Sequence, residues 1–267
     1  MDDLIDGLIE DTKRRVKKLE KKLYDTVLDH FTGELDIQDK KIKVGGNVKV
    51  VESLWKAITR SLEKDLILFA KFVFDSIEEI FNETANQTKD FDPRAVAVSE
   101  IVKETVMESA KRSIEAQTDL SVVFSNIKLK SVSLMSKYEG VSLKELRDAL
   151  KKQIVVEGAI AKYWDRWTKD IYSQYQRAGA NEIRKELGLK HAMYEGGVID
   201  SSRAFCEGKN GKVFTEDEIK EWANEDWQGK NDGYVPELDC GGYNCRHRLR
   251  WISPELAVQL RPDLKNK

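Results

Sequence analysis

The chain has 267 residues, of which 40% are hydrophobic and 34% are charged. This length and composition are enough to bury a core in one large domain or two modest ones, which excludes the intrinsically disordered class. Its 45 lysines and arginines nearly balance 47 aspartates and glutamates, leaving a net charge of −2, so bulk charge predicts no nucleic-acid partner.

The N-terminus and the most apolar run of the chain exclude two further classes. The first residues are acidic where a secretory signal is basic, and no small-residue cleavage site follows an apolar core. The most apolar run, residues 66–74, contains Lys71, and a membrane span needs about 20 apolar residues. We therefore expect a soluble protein that is made in a cytoplasm and has no membrane partner.

Helical periodicity dominates the N-terminal part of the chain. Apolar residues recur at steps of three and four over residues 5–31 and again over 51–80, which predicts two long amphipathic helices. A turn-rich connector at residues 31–47 separates them. Pro93 closes the second helical unit and opens a third helix over about residues 95–116.

The middle of the chain contains one ambiguous segment and one strong helix. Residues 119–140 are rich in serine and β-branched side chains, which permit strands, while their neighbours favour a helical array, so both structures stay open. Ser142 and Glu145 have the spacing of a capping box. Apolar and aromatic residues then recur at helical spacing over residues 156–178, and Gly188 is placed to end this helix.

Beyond Leu189 the composition changes to glycine, aromatic and polar residues. Short β segments fit residues 190–195, 212–214 and 247–253, and Thr215 with Glu218 forms a capping box for a short helix through Trp222. We therefore expect an α+β fold that is mostly α. Its predicted parts are a helical docking arm at 1–150, a connecting helix at 151–189, a small Cys/His-containing α+β module at 190–256 and a tail at 257–267.

All cysteines of the chain lie in its last quarter, at Cys206, Cys240 and Cys245. An odd number of cysteines in a reducing compartment argues against a disulfide framework. Glycines between Cys240 and Cys245 permit a tight turn, Cys245 and His247 share one side of the predicted strand, and Cys206 lies in a predicted hairpin turn. Together with His247, the cysteines supply the donors of a structural zinc site. Two alternatives stay open, namely buried thiols with His247 paired to an acidic neighbour such as Asp239, or a disulfide from Cys206 to Cys240 or Cys245.

Arg246, Arg248 and Arg250 alternate and so share the opposite face of the last predicted strand. This face is suited either to contacting phosphates or to pairing with acidic groups such as those of residues 216–226, and we favour pairing within the protein or with another protein. A metal-dependent nuclease would need an open coordination position and a histidine base. We expect a mixed Cys/His site to be closed and without catalytic activity.

A recognisable order of residues runs through two segments of the C-terminal part, YEGGVIDSSRAFCEGKNGKVFTEDEIKEW and GGYNCRHRLRWISPE. It resembles the phage Mu F-like minor head protein family, the head morphogenesis proteins of tailed bacteriophages. The similarity covers residues 155–256. The matching residues are Tyr194, Gly196, Asp200, Ser202, Arg203, Cys206, Gly211, Trp222, Gly242, Asn244, Cys245 and Arg246. His247 stands where the family commonly has a second cysteine, which keeps a metal donor and removes a disulfide partner.

The resemblance implies a non-enzymatic minor component of the virion. Such a protein associates with the portal protein and other head proteins and assists head assembly, DNA packaging or ejection. The resemblance also implies a location in the phage head after assembly in the host cytoplasm, and it leaves contact with phage DNA open. Two rival hypotheses are a metal-dependent enzyme acting on nucleic acid and a zinc-stabilised DNA-binding protein.

Overall fold

The computed structural model describes residues 1–34, 37–38, 41–42, 44–118, 125–126, 129 and 142–266. The ambiguous residues 119–140 lie almost wholly outside these ranges. The fold is α+β and mostly α, as predicted, with long N-terminal helices and a small antiparallel sheet near the C-terminus. Among the described residues, no helix is long and apolar enough to span a bilayer.

Three long helices occupy the N-terminal part, as the periodicity predicts. They are α1 Asp2–Glu34, α2 Val44–Lys89 and α3 Ala95–Thr118. Their apolar stripes are buried, and on α1 the stripe includes Val16, Leu23, Val27 and Phe31. The connector between α1 and α2 contains two short antiparallel strands, β1 Ile37–Gln38 and β2 Lys41–Ile42.

The predicted connecting helix begins at Ala161, whereas its apolar pattern begins at residue 156. The Ser142 capping box starts α4 Leu143–Lys151, as expected, and a π-helical turn follows it. Gly158 then adopts a left-handed φ of 65° and interrupts the helix. The new helix, α5 Ala161–Leu187, ends at Gly188 with a φ of 69°, as predicted.

A three-stranded antiparallel sheet forms the base of the C-terminal module. Its strands are β3 His191–Glu195, β4 Val213–Thr215 and β5 Arg248–Ile252, with β3 in the middle. Short helices accompany the strands, namely α6 Ala204–Lys209, α7 Glu216–Glu221, α8 Pro236–Asp239 and α9 Pro254–Leu260. The predicted strands and the Thr215 capping box are confirmed. The last strand begins at Arg248, so Cys245 and His247 lie in the loop before it.

The chain divides into two compact units, each assembled from separate segments. The first contains Met1–Leu8, Phe74–Arg112 and Thr168–Lys267, and the second contains Ile9–Val73 and Ser113–Trp167. Within the first unit, one core joins module residues such as Tyr194 and Trp222 to residues of α2, α3 and α5. The predicted tail contributes the buried Ala257 and Leu264 to a smaller cluster. The module therefore shares its core with the helices of its unit.

Glu20 explains why α5 begins where it does. Its buried carboxylate accepts hydrogen bonds from the backbone N–H groups of Ile160, at 2.9 Å, and Ala161, at 2.7 Å. Free N–H groups at a helix start need such an acceptor. Because Glu20 is about 140 residues away in sequence, a local pattern cannot reveal this cap.

We expect Glu20→Ala to lower the free energy of unfolding by about 1 to 3 kcal/mol, because it leaves two backbone donors without their acceptor. Glu20→Gln should lose less, since its amide oxygen still accepts. Chemical denaturation of the full chain measures both values. The exposed Glu10→Ala is the matched control on the same helix and should change little; an equal loss in that control would contradict the capping role.

Candidate metal centre

Three of the four predicted metal donors converge in the first unit. Cys206 lies on α6, whereas Cys245 and His247 lie in the loop that leads into β5. The prediction of a hairpin turn around Cys206 is wrong, because Arg203 begins a short helix in which the Glu207 N–H donates to the Arg203 carbonyl. All three side chains are buried.

The donor atoms are spaced closely enough to hold a metal ion. Cys206 Sγ lies 3.9 Å from Cys245 Sγ, and Cys245 Sγ lies 3.7 Å from His247 Nδ1. The third pair, between Cys206 and His247, is within 4.8 Å. A tetrahedral zinc site with Zn–S of about 2.3 Å and Zn–N of about 2.0 Å has S···S and S···N edges of about 3.8 and 3.5 Å. The two measured edges fit these values, and the third lies within the limit of 4.8 Å.

The loop at residues 239–245 has the backbone that such a site needs. Three of its residues adopt left-handed φ values, Cys240 at 50°, Gly242 at 89° and Asn244 at 56°, a region that non-glycine residues rarely occupy. Gly241 faces the sulfurs, and a Cβ there would lie 2.3 Å from Cys206 Sγ and 2.8 Å from Cys245 Sγ. Glycine is therefore required at residue 241 to leave space beside the two sulfurs.

Several donors surround the sulfur of Cys245. The backbone N–H groups of Gly241 and His247 donate to it at 3.2 and 3.4 Å. The hydrogen bond from Cys206, together with His247 and the nearby charge of Arg177, lowers the pKa of Cys245 to about 3. The same hydrogen bond, together with burial, raises the pKa of Cys206. The hydrogen bond between the two sulfurs thus shifts their pKa values in opposite directions.

His247 supplies the third potential ligand atom of the cluster. Its Nδ1 faces Cys245, while its Nε2 is buried and has no hydrogen-bond partner among the described residues. The predicted alternative of a pair with Asp239 is not observed, because that carboxylate accepts from Asn231 Nδ2 and from the Val235 N–H. A metal-bound histidine usually donates its second ring N–H to an oxygen, so among the described contacts of His247 it is the approach of Nδ1 to Cys245 that supports a ligand role.

Cys240 does not belong to this group of donors, so the predicted set of four is not assembled. Its thiol is completely buried and interacts with the guanidinium of Arg177. Burial raises the pKa of Cys240 to about 12, against the influence of Arg177. All three cysteines are free, so the predicted alternative of a disulfide is not observed either.

Arg177 is a site residue that sequence reasoning missed. Its side chain extends from α5 and donates from Nη1 to the carbonyl oxygens of Asp239, Cys245 and His247, at 3.4, 3.3 and 3.1 Å. Burial alone would lower the pKa of Arg177, but Cys240 and Cys245 raise it. No local pattern singles out this arginine, because its partners are more than sixty residues away.

The residues predicted as a structural motif lie around the same loop, with one exception. Tyr194 stacks on His247 with ring centroids 5.1 Å apart, and its ring meets Trp222 edge-on. Arg203 donates to the carbonyls of Gln228 and Tyr243, while Asn244 supplies one of the left-handed residues. Gly196 allows close approach of the His247 ring, because a Cβ there would lie 2.8 Å from it. Asp200 is exposed in a turn.

The three arginines near β5, Arg246, Arg248 and Arg250, form ion pairs within the protein, which is the alternative that we favoured. Their acidic partners lie outside residues 216–226. Arg248 and Arg250 both contact Glu195 Oε1, at 2.8 and 3.0 Å. Arg248 also pairs with Asp2, and Arg246 lies 3.3 Å from Asp6. The register causes the first contacts, because Glu195 lies opposite Arg248 on the neighbouring strand.

We expect Arg177→Ala to lower the free energy of unfolding by about 3 to 5 kcal/mol, because three buried carbonyls lose their donor and two nearby sulfurs lose a cation. Chemical denaturation monitored by tryptophan fluorescence measures this loss. The exposed Arg112→Ala on α3 is the control, and it should change little. A loss below about 1 kcal/mol in Arg177→Ala would show that the loop keeps its conformation without this residue.

Comparison with known proteins adds no neighbour to this description. No protein-family model, no curated protein and no solved structure matches the chain. The resemblance to phage head proteins therefore stays a prediction from the residues. What the chain itself establishes is a buried Cys206, Cys245 and His247 cluster that could hold a metal ion.

Proposed function

We propose that this chain is a non-enzymatic minor head protein of a tailed bacteriophage, of the Mu F-like kind. The observation that carries the proposal is the convergence of the residues on which the resemblance depends. Tyr194, Cys206, Trp222 and Cys245 are spread over some fifty residues, yet they share one buried core. Arg203 and Asn244, two of the matching polar residues, shape the loop that carries Cys245.

The metal in this proposal is a structural zinc ion. Two sulfurs and an imidazole favour zinc over calcium or magnesium, which prefer oxygen ligands. The donors are buried, with Cys206, Cys245 and His247 each no more than 5% exposed. A closed site of this kind stabilises a fold, whereas a catalytic ion keeps one position open to substrate. We therefore favour a structural role over the rival metal-dependent enzyme.

In this proposal, the surface of the chain binds other proteins rather than DNA. The arginines near β5 form ion pairs with Glu195, Asp2 and Asp6, so their charge is largely neutralised. The long helices expose large apolar side chains that suit a protein partner, namely Ile67, Leu68 and Ile101. In this proposal the helical arm docks on the portal and other head proteins, and the module lies close to them.

Purified full-length protein should contain one zinc ion per chain. Removing the ion with a chelator should lower the free energy of unfolding by about 3 to 4 kcal/mol, for free zinc a few hundredfold above its Kd. Elemental analysis and denaturation with and without chelator measure both quantities, and Cys245→Ser should abolish the difference. Metal-free protein in which all three thiols react freely would overturn the zinc proposal.

The head-protein proposal is tested in the phage that encodes the chain. We expect the protein to co-purify with the portal protein and to be present in purified proheads and virions. Quantitative mass spectrometry of particles measures its copy number, with a non-virion protein of the same phage as control. Its absence from both proheads and virions would overturn the proposal whatever the metal content.

A further inference from the structure

A tetrahedral ion needs four donors, and the Cys206, Cys245 and His247 cluster offers three. One polar side-chain atom in a suitable place is the hydroxyl of Tyr194. Tyr194 Oη lies 3.3 Å from Cys206 Sγ and 3.8 Å from Cys245 Sγ. For Zn–O of about 2.0 Å, the S···O edge of a tetrahedral site is about 3.5 Å. The two measured distances bracket this edge.

The ring of Tyr194 is held so that its hydroxyl stays at this position. The ring is stacked on His247 with an angle of 12° between the two planes, and it packs edge-on against Phe205 and Trp222. Its side chain is completely buried. A second tyrosine, Tyr234, donates its hydroxyl to the Cys240 carbonyl at 2.6 Å. In contrast, the hydroxyl of Tyr194 meets only sulfur atoms among the hydrogen-bond partners that the structure describes.

Sulfur is a weak hydrogen-bond acceptor, and buried tyrosine hydroxyls usually find an oxygen or nitrogen partner. The position of Tyr194 Oη between two sulfurs is therefore poorly explained by hydrogen bonding alone. Cys240, the remaining sulfur nearby, is engaged by Arg177.

We propose that Tyr194 is the fourth ligand, so that the ion is held by two sulfurs, one imidazole nitrogen and one phenol oxygen. This inference depends on the zinc centre of the proposed function. It assigns to Tyr194 a role that the residue type alone would not suggest, since tyrosine is an uncommon zinc ligand. On binding, the phenol proton is released to solvent and the oxygen bonds to the ion.

The test uses the metal-free full-length protein titrated with Zn²⁺ alone. In the wild type, each bound zinc should produce one tyrosinate in the ultraviolet difference spectrum. Tyr194→Phe keeps the stacked ring and removes only the oxygen, so it should lose this signal and bind zinc at least ~10-fold more weakly, the lower limit seen even for outer-shell residues. A competing chromophoric chelator measures the affinities.

Two variants serve as matched controls. Tyr234→Phe removes the other buried hydroxyl near the loop and should keep both the signal and the affinity. Cys240→Ser should also keep them, because Cys240 lies outside the donor group. Zinc bound by the wild type without a tyrosinate signal would overturn the assignment of Tyr194, and so would loss of zinc in Cys240→Ser with full affinity in Tyr194→Phe. Both results leave the zinc centre intact, whereas a wild type with no zinc affinity would overturn the centre and this inference together.

Discussion

The buried guanidinium of Arg177 is the constraint on which the C-terminal module depends. A cation inside a protein is tolerated only where its hydrogen bonds and charge are satisfied. Here carbonyls of the loop and the sulfurs of Cys240 and Cys245 satisfy it. Because the arginine comes from α5 and its partners from the loop before β5, the loop cannot move away from the helix without leaving a buried charge uncompensated. The loop residues of the candidate metal centre, Cys245 and His247, are thereby positioned by a helix that contributes none of the three potential ligands.

The arginines on the charged face of β5, which follows this loop, form ion pairs within the protein. The loop delivers the chain to β5 in the register that sets Arg248 opposite Glu195. Glu195 then contacts both Arg248 and Arg250. Ion pairs of this kind contribute little stability, but they remove the net positive charge that a phosphate-binding face requires. The pairing of β5 with β3 therefore neutralises this surface close to the loop that carries Cys245 and His247.

Local sequence patterns predict most of the fold because helices and capping boxes depend on near neighbours. The long helices, the strands of the module and the helix caps at Ser142 and Thr215 follow from periodicity and spacing. Features that depend on distant residues are not accessible in this way. The start of α5 depends on Glu20, and the loop geometry depends on Arg177. The helix at Cys206 was missed because its glycines suggested a turn.

Residue type alone also does not predict which side chains could bind the metal ion. Residue type favours Cys240 as a ligand, since a thiol binds zinc better than a phenol does. Geometry favours Tyr194, because β3 holds its ring against His247 while α8 ends with Cys240 facing Arg177. Cys240 lies outside the cluster of ligand atoms and interacts with Arg177 instead. In the proposed centre, position rather than residue type therefore selects Tyr194 over Cys240 as the fourth ligand.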